Sequence, residues 1–284
     1  MLLLLGYVAI GWVYASVAMS GQIRRHEIPQ LGAIAPQPVT LYSGDIALDA
    51  GFYPNPAGAS CAVVMLHGID DDRASVLAFA PLYWDRGCSV FAFDHRDHGR
   101  SSSAHRTYGF HEADDAVLAI DWVIDRTSLA PGHIGLHGIS FGAATALEVL
   151  ERRDDLAFVV ADSPYSSMGS IVASSAANSL GVLEPLVRPW AHFLIERRAD
   201  MAIDDVDPAA AIAGVATPIL LIHTAGDDIV PEEHSATIGE RNPAVERHVL
   251  EAGGIHLNAY SMRTAEYTSI VHEFMDRQAP QLAG

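Results

Sequence analysis

Two short runs in this chain, AVVML at 62–66 and VFAF at 90–93, are apolar at every position. A strand with one wet face alternates apolar and polar residues, so a strand without a polar position must be covered on both sides. That requirement demands helices above and below a central sheet. The rest of the chain supplies them. Strand-like segments at 133–137, 158–161, 219–223 and 247–250 alternate with helix-like segments at 74–86, 113–125, 141–153, 232–238 and 260–277. In the second of these helices Ala116, Ile120 and Val123 share a face. Such alternation predicts an α/β fold with a mostly parallel central sheet and crossover helices on both faces. Ahead of it, residues 39–42 and 46–53 read as a hairpin around Ser43-Gly44-Asp45.

Three spans organise the chain. Residues 2–19 are apolar and uncharged, and Arg24 and Arg25 follow. This run is at the lower limit for crossing a bilayer. It reads as a signal-anchor over 1–20, with membrane attachment through this helix as the expected localisation. The alternative is a signal peptide cleaved near Ser16-Val17-Ala18 or Ala18-Met19-Ser20, giving a secreted or periplasmic protein. No Lys or Arg precedes the run, which favours the anchor, and two following arginines do not set the side of the membrane. Residues 21–38 carry Pro29, Pro36 and Pro38 and form a linker. Residues 39–284 are the α/β domain. Within it, 163–207 breaks the alternation and is expected to be a small helical cap. Its Leu186, Trp190, Phe193 and Leu194 recur at helical spacing and are expected to roof a substrate pocket.

The formal net charge is −18, and all the basic residues are arginine because lysine is absent. A nucleic acid partner needs a basic face to displace counterions, so that class is excluded. The two cysteines, Cys61 and Cys88, have no zinc spacing. Each precedes an apolar strand, which makes a disulfide conceivable, but two buried free thiols are the expectation. No cofactor or metal is implied. Asp94, His95, Asp97 and His98 crowd one turn, but a metal there is not expected. The run Asp70-Asp71-Asp72 reads as a helix N-cap and first turn. The sequence sets no oligomeric state.

The chemistry is carried by Gly138-Ile139-Ser140-Phe141-Gly142, between a strand (IGLH) and a helix (AATALEVL). Glycines at both flanks let the backbone turn sharply and leave a serine hydroxyl exposed above the sheet. A serine hydroxyl is a poor nucleophile until a base takes its proton and an acid orients the base. On this kind of sheet those partners follow as Asp or Glu and then His, each in a loop after a strand. The loop after PILLIH offers Asp227 and Asp228; only one can face the base, and the other is expected to cap a helix. Among the later histidines, His234 and His272 lie in helices and His248 inside a strand. His256, in the glycine-rich loop Glu251-Ala252-Gly253-Gly254-Ile255-His256, is the one that fits. The negative charge that develops on a carbonyl oxygen needs two backbone N–H donors. Phe141, directly after Ser140, and Ile69, in the loop Leu66-His67-Gly68-Ile69, are the candidates.

The stretches LHGI, FDHRDHGRSSS, GISFGAA, DSPYSS, IHTAGDDIVP and GGIHLN resemble the α/β-hydrolase superfamily, from about Val39 to the C-terminus. They look most like the small-cap or membrane-anchored serine hydrolases grouped with the serine aminopeptidase and monoacylglycerol-lipase-like families. Asp97 and Thr224 stand where relatives often carry glycine. The resemblance implies an α/β-hydrolase fold, with Ser140 as nucleophile, Asp227 as acid, His256 as base, and Phe141 and Ile69 as oxyanion donors. The expected activity is that of a serine esterase, lipase-like, acting on a small-molecule acyl ester of short to medium chain. An aminopeptidase, amidase or acyl-thioesterase on the same residues is the enzymatic alternative. A catalytically dead, membrane-anchored binding protein is the non-enzymatic one.

Overall fold

The structure is a computed structural model that describes residues 2–20 and 24–282. Position 1 of the expected anchor, positions 21–23 of the expected linker and the last two positions of the domain lie outside the described residues. Eight strands form one sheet in the order β1-β2-β4-β3-β5-β6-β7-β8. They are β1 (Gln37–Ser43), β2 (Ile46–Tyr53), β3 (Ala62–Leu66), β4 (Ser89–Phe93), β5 (Ile134–Ile139), β6 (Phe158–Asp162), β7 (Ile219–Thr224) and β8 (Glu246–Leu250). The β1–β2 and β2–β4 pairs are antiparallel, and every other pair is parallel. This is the α/β-hydrolase architecture. β3 to β7 are buried along their whole length, as their lack of polar alternation requires.

The principal helices are α1 (Leu2–Ala18), α2 (Phe110–Thr127), α3 (Phe141–Glu148), α4 (Met168–Leu180), α5 (Glu184–Ala199), α6 (Glu233–Arg241) and α7 (Thr264–Gln278). Two cores result. On one face Val63, Met65, Val90 and Phe158 meet α7 through Tyr267, Val271 and Phe274. On the other, Val64, Leu66, Phe91 and Leu136 meet Ala116 and Ile120 of α2 and Ala146 and Leu147 of α3. The single helix expected over 74–86 is instead broken into single turns, Arg73–Val76 and Pro81–Trp84, joined by a 3-10 turn. Pro81 has no N–H to continue the ladder, so a new turn starts there. The helix expected over 260–277 is likewise split, with Arg263 leaving helical geometry between Asn258–Met262 and α7.

Cys61 and Cys88 are joined by a disulfide, contrary to the expected free thiols. The register explains it: Ala62 pairs with Ser89 across β3 and β4, so the residues just before them face each other, with Cα atoms 4.6 Å apart. Residues 163–207 contribute α4 and α5. The N-terminal helix α1 packs along α5: Gly11 faces the Trp190 indole, whose Nε1 donates to Val8 O, and Arg198 donates to Ser16 Oγ at 2.9 Å. No helix among the described residues is long and apolar enough to cross a membrane.

Candidate active site

Four loops meet at the C-terminal edge of the parallel strands, where ligands of open α/β sheets bind. Ser140 sits between β5 and α3 with φ 52 and ψ −116, a left-handed conformation costly for a residue with a Cβ. The elbow is tight enough to require its glycines. A Cβ on Gly138 would lie 2.1 Å from the Gly142 carbonyl oxygen, and one on Gly142 would lie 2.3 Å from the Leu66 oxygen. The Ser140 N–H donates to Asp162 O at 2.7 Å, tying the elbow to β6.

His256 Nε2 lies 2.8 Å from Ser140 Oγ, and its Nδ1 lies 2.7 Å from Asp227 Oδ2. A carboxylate only accepts, so Nδ1 carries the ring proton and Nε2 is left to accept from the Ser140 hydroxyl. Burial alone would raise the Asp227 carboxyl. The His256 hydrogen bond and charge, with the Ile229 and Val230 N–H donors at 3.0 and 2.9 Å, outweigh it and hold the group below the usual aspartate value. Asp227 is therefore ionised across the neutral range.

The structure separates the two adjacent aspartates differently from the sequence expectation. Asp228 caps no helix, since α6 begins only at Glu233. Its Oδ1 accepts from the His256 backbone N–H at 3.0 Å, so both carboxylates hold the histidine loop, one by the ring and one by the main chain.

Phe141 is the first residue of α3, so its N–H has no preceding helical carbonyl to bond. Gly68 approaches Ser140 closely, a Cβ there lying 3.7 Å from the Ser140 Cβ, which brings the next residue, Ile69, to the rim of the same cavity. His67 fixes that loop. Its Nδ1–H donates to Gly68 O at 2.7 Å, and its Nε2 accepts from the His95 N–H at 2.9 Å. Burial, then the charge of His98, pushes its pKa down to about 3, so the ring stays neutral as this pattern requires.

The turn after β4 is anchored by its Asp94 carboxylate, while both ring nitrogens of the buried His95 have no hydrogen-bond partner among the described residues. Asp94 accepts from Arg73 Nη1, Arg73 N and Arg100 N, and Asp97 adopts φ 59, a left-handed conformation that glycine takes more readily. Asp72 caps the Arg73–Val76 turn by accepting from Ala74 N. Asp70, expected in the same cap, turns away and pairs with Arg106 at 2.9 Å.

A cavity of about 960 Å³ opens over Ser140, bordered by Ile69, Phe141, Tyr108, Tyr165, Ile171 and Val230, with α1 along one side. The four cap residues expected to roof it do not. Leu186 and Phe193 are 64 % and 49 % exposed, Trp190 stacks on Phe193 and closes on α1, and Leu194 packs into the cluster beneath. Their spacing marked an apolar face correctly, but α1 and solvent, rather than the substrate space, lie against it. Sequence reasoning missed Tyr108, Tyr165, Arg106 and the α1 residues. The one available signal for α1 was its Gly11, Tyr14 and Ser16, a packing surface inside an otherwise uniform apolar run.

Residues 79–241 match the prolyl oligopeptidase family. The chain is 28 % identical over 228 residues to the uncharacterized protein YqkD of Bacillus subtilis, covering 80 % of this chain and 74 % of that one. The fold is similar to the Pyrococcus furiosus esterase Pf2001, with TM-score 0.72, 24 % identity and coverage of 92 % and 98 %. It is also similar to part of the Pyrococcus horikoshii acylaminoacyl peptidase, with TM-score 0.68, 15 % identity and coverage of 87 % and 42 %.

Proposed function

The chain belongs to the prolyl oligopeptidase family and is a serine hydrolase of α/β-hydrolase fold; from that premise we propose that it cleaves carboxylic esters through an acyl-enzyme on Ser140. The observation that carries this reading is the continuous path from Asp227 through His256 to Ser140, with hydrogen bonds of 2.7 and 2.8 Å. Ser140 Oγ attacks the ester carbonyl while its proton passes to His256 Nε2, and Asp227 stabilises the resulting imidazolium. The Phe141 and Ile69 N–H groups hold the oxyanion. Collapse expels the alcohol, which takes the proton from His256, and water repeats the sequence to release the acid.

An amide substrate is favoured by one feature, the carboxylates of Asp70 and Asp228 at the cavity wall, which would attract an amine. Both are engaged, with Arg106 and with the His256 main chain, so an uncharged acyl ester fits the site better. The test is hydrolysis of p-nitrophenyl acyl esters beside aminoacyl arylamides, with fluorophosphonate labelling. Ester turnover and labelling should both vanish in Ser140→Ala while the thermal transition is kept. Turnover of arylamides alone, or persistence of labelling in the variant, would overturn the ester reading.

A further inference from the structure

One long wall of the cavity is the N-terminal helix. Ile10, Val13 and Val17 of α1 border the same space as Ser140, facing Ile171, Ser175 and Leu180 of α4. The spacing 10, 13, 17 places the three on one helical face. The bordering stretch runs from Ala9 to Ala18 on α1 and from Ile171 to Leu180 on α4. Nine helical rises make each wall about 14 Å long. The two helices thus form facing walls of the cavity that Ser140 also lines, with a trough between them.

The trough is held in place at two points and tied to the site. Tyr14 OH donates to Val172 O at 2.9 Å, which joins α1 to α4. At the C-terminal end of α1, Arg106 donates to Ala18 O through Nε and Nη2, at 3.0 and 2.8 Å. A cation there satisfies carbonyls that the helix leaves open. The same guanidinium holds Asp70, the residue after Ile69, so the end of α1 and the oxyanion loop are fixed to one side chain. Val13 and Val17 are nevertheless 54 % and 65 % exposed along the open trough. Uncovered apolar side chains in a row beside a reactive group suit an apolar ligand.

We propose that α1 is a wall of the acyl-binding channel and that the ester taken by Ser140 carries an unbranched acyl chain lying between α1 and α4. A trough of this length holds about ten carbons, at about 1.3 Å of advance per C–C bond. The inference rests on the ester-hydrolase reading and narrows its short-to-medium range to chains of about ten carbons. It also makes α1 part of the catalytic domain's binding surface.

The experiment measures kcat/KM on p-nitrophenyl butyrate and p-nitrophenyl decanoate for the full chain, Val13→Trp, Ser175→Phe and Ser140→Ala. Each methylene buried in the channel is worth up to about four-fold. The wild type should therefore prefer decanoate by about ten-fold or more. Val13→Trp from one wall and Ser175→Phe from the other should each lower the decanoate-to-butyrate ratio by about ten-fold. Both positions are exposed, so the bulkier side chains leave the core untouched. A wild type that prefers butyrate, or bulky variants that leave the ratio unchanged, would overturn the channel. If butyrate hydrolysis is still lost in Ser140→Ala, the ester-hydrolase reading survives that result. No Ser140-dependent turnover of either ester would overturn both.

Discussion

Replacing Asp227 by Asn exchanges one oxygen for an amide group of the same shape, yet should lower kcat by about four orders of magnitude. The geometry sets the reason. Asp227 Oδ1 accepts from Ile229 N and Val230 N, which only donate, so the carbonyl oxygen of an asparagine must take that side. Its NH₂ group then points at His256 Nδ1, now 2.7 Å from Asp227 Oδ2. Nδ1 must accept, and the ring proton moves to Nε2. Nε2 then faces Ser140 Oγ as a donor and can no longer take its proton. A loss of about 10⁴ corresponds to about 5.5 kcal/mol of transition-state stabilisation. Asp228→Asn is the internal control. Its carbonyl oxygen keeps the bond to the His256 N–H, so kcat should change by no more than about three-fold. The two variants are compared by saturation kinetics on one ester, with the thermal transition recorded for each. The carboxyl of Asp227 is held below its ordinary value, so its contribution to stability is present above that value and lost as pH falls through the folded one. Asp227→Asn should therefore be somewhat less stable at neutral pH and flatter in its acid dependence. The reasoning fails if Asp227→Asn keeps more than about a tenth of kcat, or if Asp228→Asn loses as much.

Glu148, buried under Gly109, has its pKa raised to about 8, by burial first and then by the charge of Glu151. A raised carboxyl pKa penalises the fold as pH climbs from the ordinary 4.5 towards 8, by about 1.4 kcal/mol per unit. Glu148→Gln should thus gain almost nothing near pH 4.5 and up to about 4 kcal/mol near pH 8 in urea titrations; equal gains at both would refute the assignment. The disulfide closes a separation of 27 residues, and the double variant Cys61→Ala, Cys88→Ala should lose about 3–4 kcal/mol. An unchanged urea midpoint would show that the bond does not constrain the unfolded chain.

Much of the fold was legible because its signals are short-range. Apolar runs of five and four residues identified β3 and β4, and the alternation of strands and helices implied the parallel sheet. Helix boundaries were less so where proline or a local kink intervened, as at Pro81 and Arg263. The residues brought together around Ser140 were also readable in order, because each loop position follows from the strand before it. What could not be read was which surfaces face one another. Leu186, Trp190, Phe193 and Leu194 carry a helical apolar pattern, and the pattern does not say whether a substrate, a helix or water lies opposite.

The sequence by itself determined that the chain has a doubly covered sheet, a strained serine elbow between Gly138 and Gly142, and an aspartate and a histidine in later loops. Those are properties of segments, fixed by backbone sterics and by periodicity over a few residues. Only the tertiary structure decided that Cys61 meets Cys88, that Asp228 holds the His256 main chain rather than capping a helix, and that α1 walls the cavity. Each of these depends on register or packing between distant segments. The Tyr14–Val172 bond spans 158 residues, a separation at which no local preference acts and complementary surfaces alone choose the partner.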